Sequence, residues 1–215
     1  MTLVTITDPR SPASEAYRTL RTNLSFYSVD NPLRTLVVTS PAPNEGKSTT
    51  VSNLAVTMAQ SGRRTILVDC DLRRPTLHEL FNLPISPGLT NLVLDEVTDP
   101  PLQQTGIENL WLLSSGPTPP NPADMLGTKR LDQVIAGLLT QADFILFDAP
   151  PVMAASDATI LGAKSDGVLL VIRAGKTRRD QSKRASELLE RAKVRVVGVA
   201  LTNAPKDSVI GEYYG

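Results

Sequence analysis

The sequence predicts an α/β fold, a doubly wound and mostly parallel sheet flanked by helices, and three observations predict it. Short runs rich in leucine and β-branched residues are apolar at successive positions, as strands buried on both faces must be. Segments with helical periodicity alternate with them. A Gly46-Lys47-Ser48 step joins the first such run to the first long helical segment of that alternation.

Taken in order, Ser11–Phe26 reads as a leading helix, with Ser11 and Pro12 as its start and Tyr17, Leu20 and Leu24 on one stripe. Strands are expected at Thr35–Thr39, Thr65–Val68, Leu110–Leu113, Phe144–Phe147, Val168–Ile172 and Val194–Leu201. Helices are expected over Lys47–Gln60, Ala123–Leu139 and Thr177–Lys193, the last with Ala185, Leu188, Leu189 and Ala192 on one stripe. The prolines cluster between these segments, at Pro41/Pro43, Pro84/Pro87, Pro117–Pro122 and Pro150/Pro151, and punctuate them. With no internal repeat and no low-complexity tract, residues 1–206 read as one domain that includes the leading helix, and residues 207–215 as a tail ending in Glu212-Tyr213-Tyr214-Gly215.

Composition narrows the partners. The chain has 215 residues, with 22 Lys+Arg balanced by 22 Asp+Glu, so neither a nucleic-acid coat nor a polybasic membrane binder is expected. One cysteine and one histidine cannot build a disulfide framework or a zinc site, which fits a reducing, cytoplasmic setting. Nowhere do about 18 apolar residues run together, so the chain itself is not expected to span a membrane. Arg173 to Arg195 is the strongest local imbalance, with nine basic and three acidic side chains. It reads either as a solvated helix face or as a docking surface for anionic lipid head groups or a partner's cytoplasmic tail.

The loop Ser40-Pro41-Ala42-Pro43-Asn44-Glu45-Gly46-Lys47-Ser48-Thr49 lies between a strand and a helix. Such a loop turns several backbone N–H groups toward one point, and the helix N-terminus adds partial positive charge there. A phosphate suits that point. Lys47 can reach the β- and γ-phosphates, Ser48 can offer its hydroxyl to Mg²⁺, and Gly46 admits close backbone approach. Pro41 stands where the usual pattern has its first glycine, and Asn44 tolerates the left-handed turn the loop needs. Asn44 to Thr49 are therefore the expected nucleotide-binding residues of a P-loop NTPase.

A P-loop needs carboxylates for the metal and for the acceptor's proton. Asp148 ends the apolar run Phe144–Phe147, and Asp69 and Asp71 end the run Thr65–Val68, at the sheet edge where ligands bind. Two residues apart, Asp69 and Asp71 point the same way in an extended chain. Salt bridges to Arg73 and Arg74 are the competing reading of this pair. Between them, Cys70 reads as a small packing residue, and His78 as a helix-surface residue.

These motifs, in this order, resemble the bacterial tyrosine kinases, P-loop protein kinases that accompany capsule and exopolysaccharide synthesis and export. The resemblance spans Glu15 to Gly215. It includes Glu15-Ala16-Tyr17-Arg18-Thr19-Leu20-Arg21, the Walker A loop, Asp69-Cys70-Asp71-Leu72-Arg73-Arg74-Pro75 as Walker A′, and Asp148-Ala149-Pro150-Pro151 as Walker B. Gly88-Leu89-Thr90-Asn91-Leu92 and the stretch from Gly116 fall where the family has similar segments.

The resemblance implies an autokinase that uses ATP and Mg²⁺, yields ADP, and phosphorylates C-terminal tyrosines of the neighbouring subunit in a ring. Tyr213 and Tyr214 would be the acceptors. Asp69 would assist deprotonation of the tyrosine hydroxyl, Asp71 and Asp148 would serve Mg²⁺, and Lys47 would serve the transferred phosphate. Glu15, Arg18 and Arg21 would make the ring contact, although their spacing equally suits an intrahelical Glu–Arg pair. The implied activator is the cytoplasmic segment of a membrane polysaccharide co-polymerase, and the chain would be held at the inner face of the plasma membrane by a partner or by a removed transmembrane segment. Two alternatives compete: an ATP-binding adaptor without kinase activity, and a partition-type ATPase switch. The switch is disfavoured because Pro41 occupies the place of its second lysine.

Overall fold

A computed structural model describes residues 3–27 and 32–204. Its sheet has seven strands: β1 (Thr35–Thr39), β2 (Thr65–Asp69), β3 (Gln103–Gln104), β4 (Leu110–Leu113), β5 (Phe144–Asp148), β6 (Gly167–Arg173) and β7 (Val196–Thr202). They lie in the order β3-β4-β2-β5-β1-β6-β7, and only the β3–β4 pair is antiparallel. Strands β1, β2 and β5 are buried at every position, which explains why their sequences show no polar alternation. From β1 the chain crosses over β5 to reach β2, and from β5 it crosses over β1 to reach β6. The loop after β1 therefore opens at the crevice where the winding reverses, the place such sheets reserve for ligands.

Each face of the sheet has its own core. One contains Leu36, Val38, Leu54 and Leu146 beneath α3 (Lys47–Gln60). Over α3 lie α1 (Val4–Thr7) and α2 (Pro12–Phe26), so every α3 residue from Thr50 to Ala59 is buried. The start of α2 is as expected: Ser11 accepts the Ser14 N–H at 3.2 Å, and Pro12 follows it. On the other face Val37, Val68, Ile145 and Phe147 pack with α7 (Lys129–Gln141), α8 (Asp157–Ala163) and α9 (Arg179–Arg191).

The expected helix Ala123–Leu139 is in fact two, α6 (Pro122–Gly127) and α7. Thr128 breaks it by adopting an extended conformation and accepting the Leu131 N–H as the cap of α7. Capping competes with helix continuation at threonine, and here it prevails. Five short elements among the described residues also escaped the periodicity: α1, α4 (Leu77–Phe81), α5 (Leu89–Val93), α8 and the edge strand β3.

The Gly88 and Gly116 segments meet at the start of α5. Leu89 and Thr90 N–H groups donate to the Ser114 and Ser115 carbonyls at 2.8 and 2.9 Å, so the end of β4 caps α5. A Cβ on Gly88 would lie 2.3 Å from both the Gly116 nitrogen and the Ser114 oxygen, with backbone on both sides. Gly88→Ala is therefore expected to lower stability by about 1–3 kcal/mol, as overpacking does. Chemical denaturation would read this as a lower midpoint at unchanged slope.

Candidate active site

The phosphate loop leaves β1 at Thr39, whose hydroxyl donates to the Pro150 carbonyl at 2.7 Å, and enters α3 at Lys47. Asn44 has φ 61° and Gly46 φ 90°, so the left-handed turn expected of Asn44 is present. Only glycine takes the Gly46 geometry cheaply.

Partners distant in sequence brace the loop. Thr202, at the end of β7, donates its hydroxyl to the Glu45 carbonyl at 2.8 Å, and Arg173 reaches the Asn44 carbonyl at 3.3 Å. The Glu45 side chain is buried: one oxygen accepts the Ala42 N–H at 3.3 Å and the other the Thr177 hydroxyl at 2.6 Å. This carboxylate braces the loop, tying its start to the Thr177 hydroxyl. Beside the loop lies a cavity of about 180 Å³ lined by residues including Tyr17, Gly46, Thr49, Arg173, Thr202 and Asn203. Burial raises the pKa of the Tyr17 phenol.

Lys47 joins the loop to the carboxylates. Its Nζ stands 2.8 Å from Asp71 Oδ2 and 3.2 Å from Asp148 Oδ1, and it donates to the Ser48 hydroxyl at 3.2 Å. The ammonium is thus the cation that balances this pair of buried acids. Burial disfavours its charge, but Asp148 and Asp71 outweigh burial and raise the Lys47 pKa. Asp148 is wholly buried; burial raises its carboxyl against the downward pull of Lys47 and Ser48.

Asp69 and Asp71 engage different partners within one site. Strand β2 ends at Asp69, and Asp71 lies in the loop beyond it. Asp69 accepts the Thr76 and Leu77 N–H groups at 3.1 and 3.0 Å on one oxygen and the Asp71 N–H at 3.2 Å on the other. Its pKa is pushed up to about 8, first by burial and then by the neighbouring Asp148 charge, against the Leu77 N–H and Lys47.

The competing salt bridges to Arg73 and Arg74 do not form. Arg73 instead pairs with Asp157, and Arg74 gives Asp71 only its backbone N–H, at 3.1 Å. Cys70 is fully buried, and burial raises its thiol well above the usual range, as suits a packing residue. His78 lies in α4, half-buried, with no hydrogen bond to its Nδ1.

The donor set fits a hard divalent cation. Ser48 supplies a hydroxyl, Asp71 and Asp148 supply carboxylates, and the buried Asp148 Oδ2 has no hydrogen-bond partner. Among the described residues no three His, Cys, Asp or Glu side chains form a metal-holding group, so such an ion would draw further ligands from phosphate and water. Mg²⁺ behaves in this way.

Glu15 pairs with Arg18 at 2.8 Å, and Arg18 also reaches the Pro9 carbonyl, so the intrahelical pair is formed. Arg21 donates to the Thr57 carbonyl of α3 at 3.0 Å. Tyr213 and Tyr214 lie outside the described residues. Sequence reasoning missed Asp157, Thr177 and Thr202; only Asp157, an acid at a helix start after Ser156, left any local signal. Among the described residues no helix is long and apolar enough to cross a membrane.

A ParA family model, described as NUBPL iron-transfer P-loop NTPase, matches residues 33–203. The tyrosine-protein kinase YwqD of Bacillus subtilis is 42% identical over 212 residues, covering 98% of this chain and 89% of that protein. The crystal structure of the chimerical protein CapA2B2 superposes with a TM-score of 0.91 at 38% identity, covering 95% of this chain and 90% of the other. The kinase domain of the Escherichia coli tyrosine kinase ETK does so with a TM-score of 0.92 at 30% identity, covering all of this chain and 85% of the other. The P-loop, the strand-end carboxylates and these likenesses agree: the chain belongs to the bacterial tyrosine kinases, protein-tyrosine kinases built on the P-loop NTPase fold.

Proposed function

We propose that the chain is an autokinase that transfers the γ-phosphoryl group of ATP to Tyr213 and Tyr214 of a neighbouring copy, and so regulates capsular or exopolysaccharide synthesis and export. The observation that carries this reading is the convergence of Lys47 and three buried carboxylates, Asp69, Asp71 and Asp148, beside the phosphate loop. Residues 1–206 are the catalytic unit and residues 207–215 the acceptor tail.

In this reading the backbone from Asn44 to Thr49 cradles the phosphates, and Lys47 offsets charge on the β- and γ-phosphates. Ser48, Asp71 and Asp148 would hold Mg²⁺, which supplies neutralisation of phosphate charge when bound. Asp69 accepts the phenolic proton as the tyrosine oxygen attacks phosphorus and ADP departs. The form that acts is the ionised one, and the raised pKa of Asp69 makes that form a stronger base than an ordinary carboxylate.

The cavity beside Gly46, continuous with the loop, suits the nucleoside end of ATP. Glu15, Arg18 and Arg21 take part in a ring-like assembly. A cytoplasmic segment of a membrane polysaccharide co-polymerase activates the chain at the inner face of the plasma membrane.

The test is incubation with ATP and Mg²⁺ followed by mass spectrometry, with Lys47→Met as control. Phosphate on Tyr213 or Tyr214 in the wild type alone is the expected result. An unmodified tail in both proteins would reject the kinase reading and leave an ATP-binding adaptor.

A further inference from the structure

We infer that Arg73 and Asp157 form a positioning pair for phosphoryl transfer, holding Asp71 in reach of Lys47 without themselves contacting the nucleotide. The inference rests on the kinase reading above.

Asp157 opens α8 and is wholly buried. Both its oxygens are engaged by one guanidinium: Arg73 Nε donates to Oδ2 at 3.0 Å and Nη2 to Oδ1 at 3.2 Å. The residues are 84 positions apart, and the bond joins the loop carrying Asp71 to the segment that follows Asp148. A fully buried carboxylate requires such a partner, and the planar fork of arginine meets both oxygens at once.

The placement matters because other bonds to that loop run back to its own strand, where Asp69 accepts the Asp71, Thr76 and Leu77 N–H groups. Beyond the β2–β5 ladder, which pairs Asp69 with Asp148, one more bond runs from the Cys70 N–H to the Asp148 carbonyl at 2.9 Å. After Cys70 the two segments part. Asp71 then receives the Arg74 N–H at 3.1 Å, a contact three residues away that shapes the turn but does not place it against β5. Among the described residues two ion-pair ties then cross the gap. Lys47 is the inner one, touching Asp71 and Asp148. Arg73–Asp157 is the outer one. When Lys47 turns to the phosphates of a nucleotide, the inner tie is released and the outer one keeps Asp71 in place. A displacement of about 1 Å in such a group costs on the order of 10²-fold in rate.

The test compares wild type with Arg73→Lys and Asp157→Asn. Arg73→Lys keeps a cation beside Asp157 but loses the fork, so it preserves the fold best. Three readouts are taken at a temperature where all proteins are folded by circular dichroism: kcat for tail phosphorylation, affinity for ADP without Mg²⁺, and the Mg²⁺ concentration giving half-maximal rate. We expect kcat to fall by about tenfold or more and the Mg²⁺ requirement to rise, with ADP affinity within about twofold of wild type because Lys47 and the loop are intact.

Wild-type kcat and Mg²⁺ response in folded Arg73→Lys would overturn the inference, as would a parallel fall in ADP affinity and kcat. Absence of tail phosphorylation in the wild type would instead overturn the kinase reading, so the two failures are distinct.

Discussion

Lys47→Met is expected to reduce tyrosine phosphorylation by roughly 10²–10³-fold, the usual cost of losing a charge that stabilises the transition state. It should also destabilise the protein, which a purely phosphate-binding lysine would not do. Asp71 and Asp148 lie 2.8 and 3.2 Å from the ammonium and are almost wholly shielded from water. Removing a cation that bridges two buried acids costs about 3–5 kcal/mol, because the remaining charges are left unpaired. Mg²⁺ can occupy the same electrostatic role, so thermal stability of the variant should rise with added Mg²⁺ more steeply than that of wild type. Equal Mg²⁺ responses in the two proteins would show that Lys47 does not balance these acids.

Asp69→Asn should separate chemistry from stability. Loss of the proton acceptor is expected to lower kcat by about 10²–10⁴-fold. The stability effect has the opposite sign. In the folded protein Asp69 holds its proton up to about pH 8, whereas its ordinary value is 3.8. Between those values the folded state binds a proton that the unfolded state has released, so this group's contribution to stability declines as pH rises through the window and levels off above about 8. The amide imitates the neutral acid and cannot titrate, although it gives up one of the acceptors that Asp69 offers. The melting temperature of the variant should therefore fall less than that of wild type between pH 4 and 8. Parallel melting profiles would refute the raised Asp69 pKa.

Much of this site was legible in the sequence because its chemistry is local. Lys47 and Ser48 follow a glycine at the start of a helix, and that adjacency suffices to aim N–H groups, ammonium and hydroxyl at one point. Asp69 and Asp148 end apolar strands, so their place at the ligand-binding edge follows from the parallel sheet, where they are register partners. The partners of Asp71 were not legible, since they depend on what the loop beyond the strand meets. What it meets is Arg74 and Lys47. Thr128 shows the same limit in a helix, where one hydroxyl accepting the Leu131 N–H divides an apparently continuous periodicity.

By itself, the sequence determined the sheet's buried strands, the phosphate loop and the acids at the strand ends, because hydrophobic pattern and short-range geometry decide these. Only the tertiary structure decided which charges pair. Arg73 had Asp71 two residues away yet binds Asp157, and Glu45 takes Thr177 while Thr202 holds the Glu45 carbonyl. These choices depend on which loops converge once the sheet is wound. Burial makes each unpaired charge or polar group costly, so the fold retains the partners that winding brings within reach.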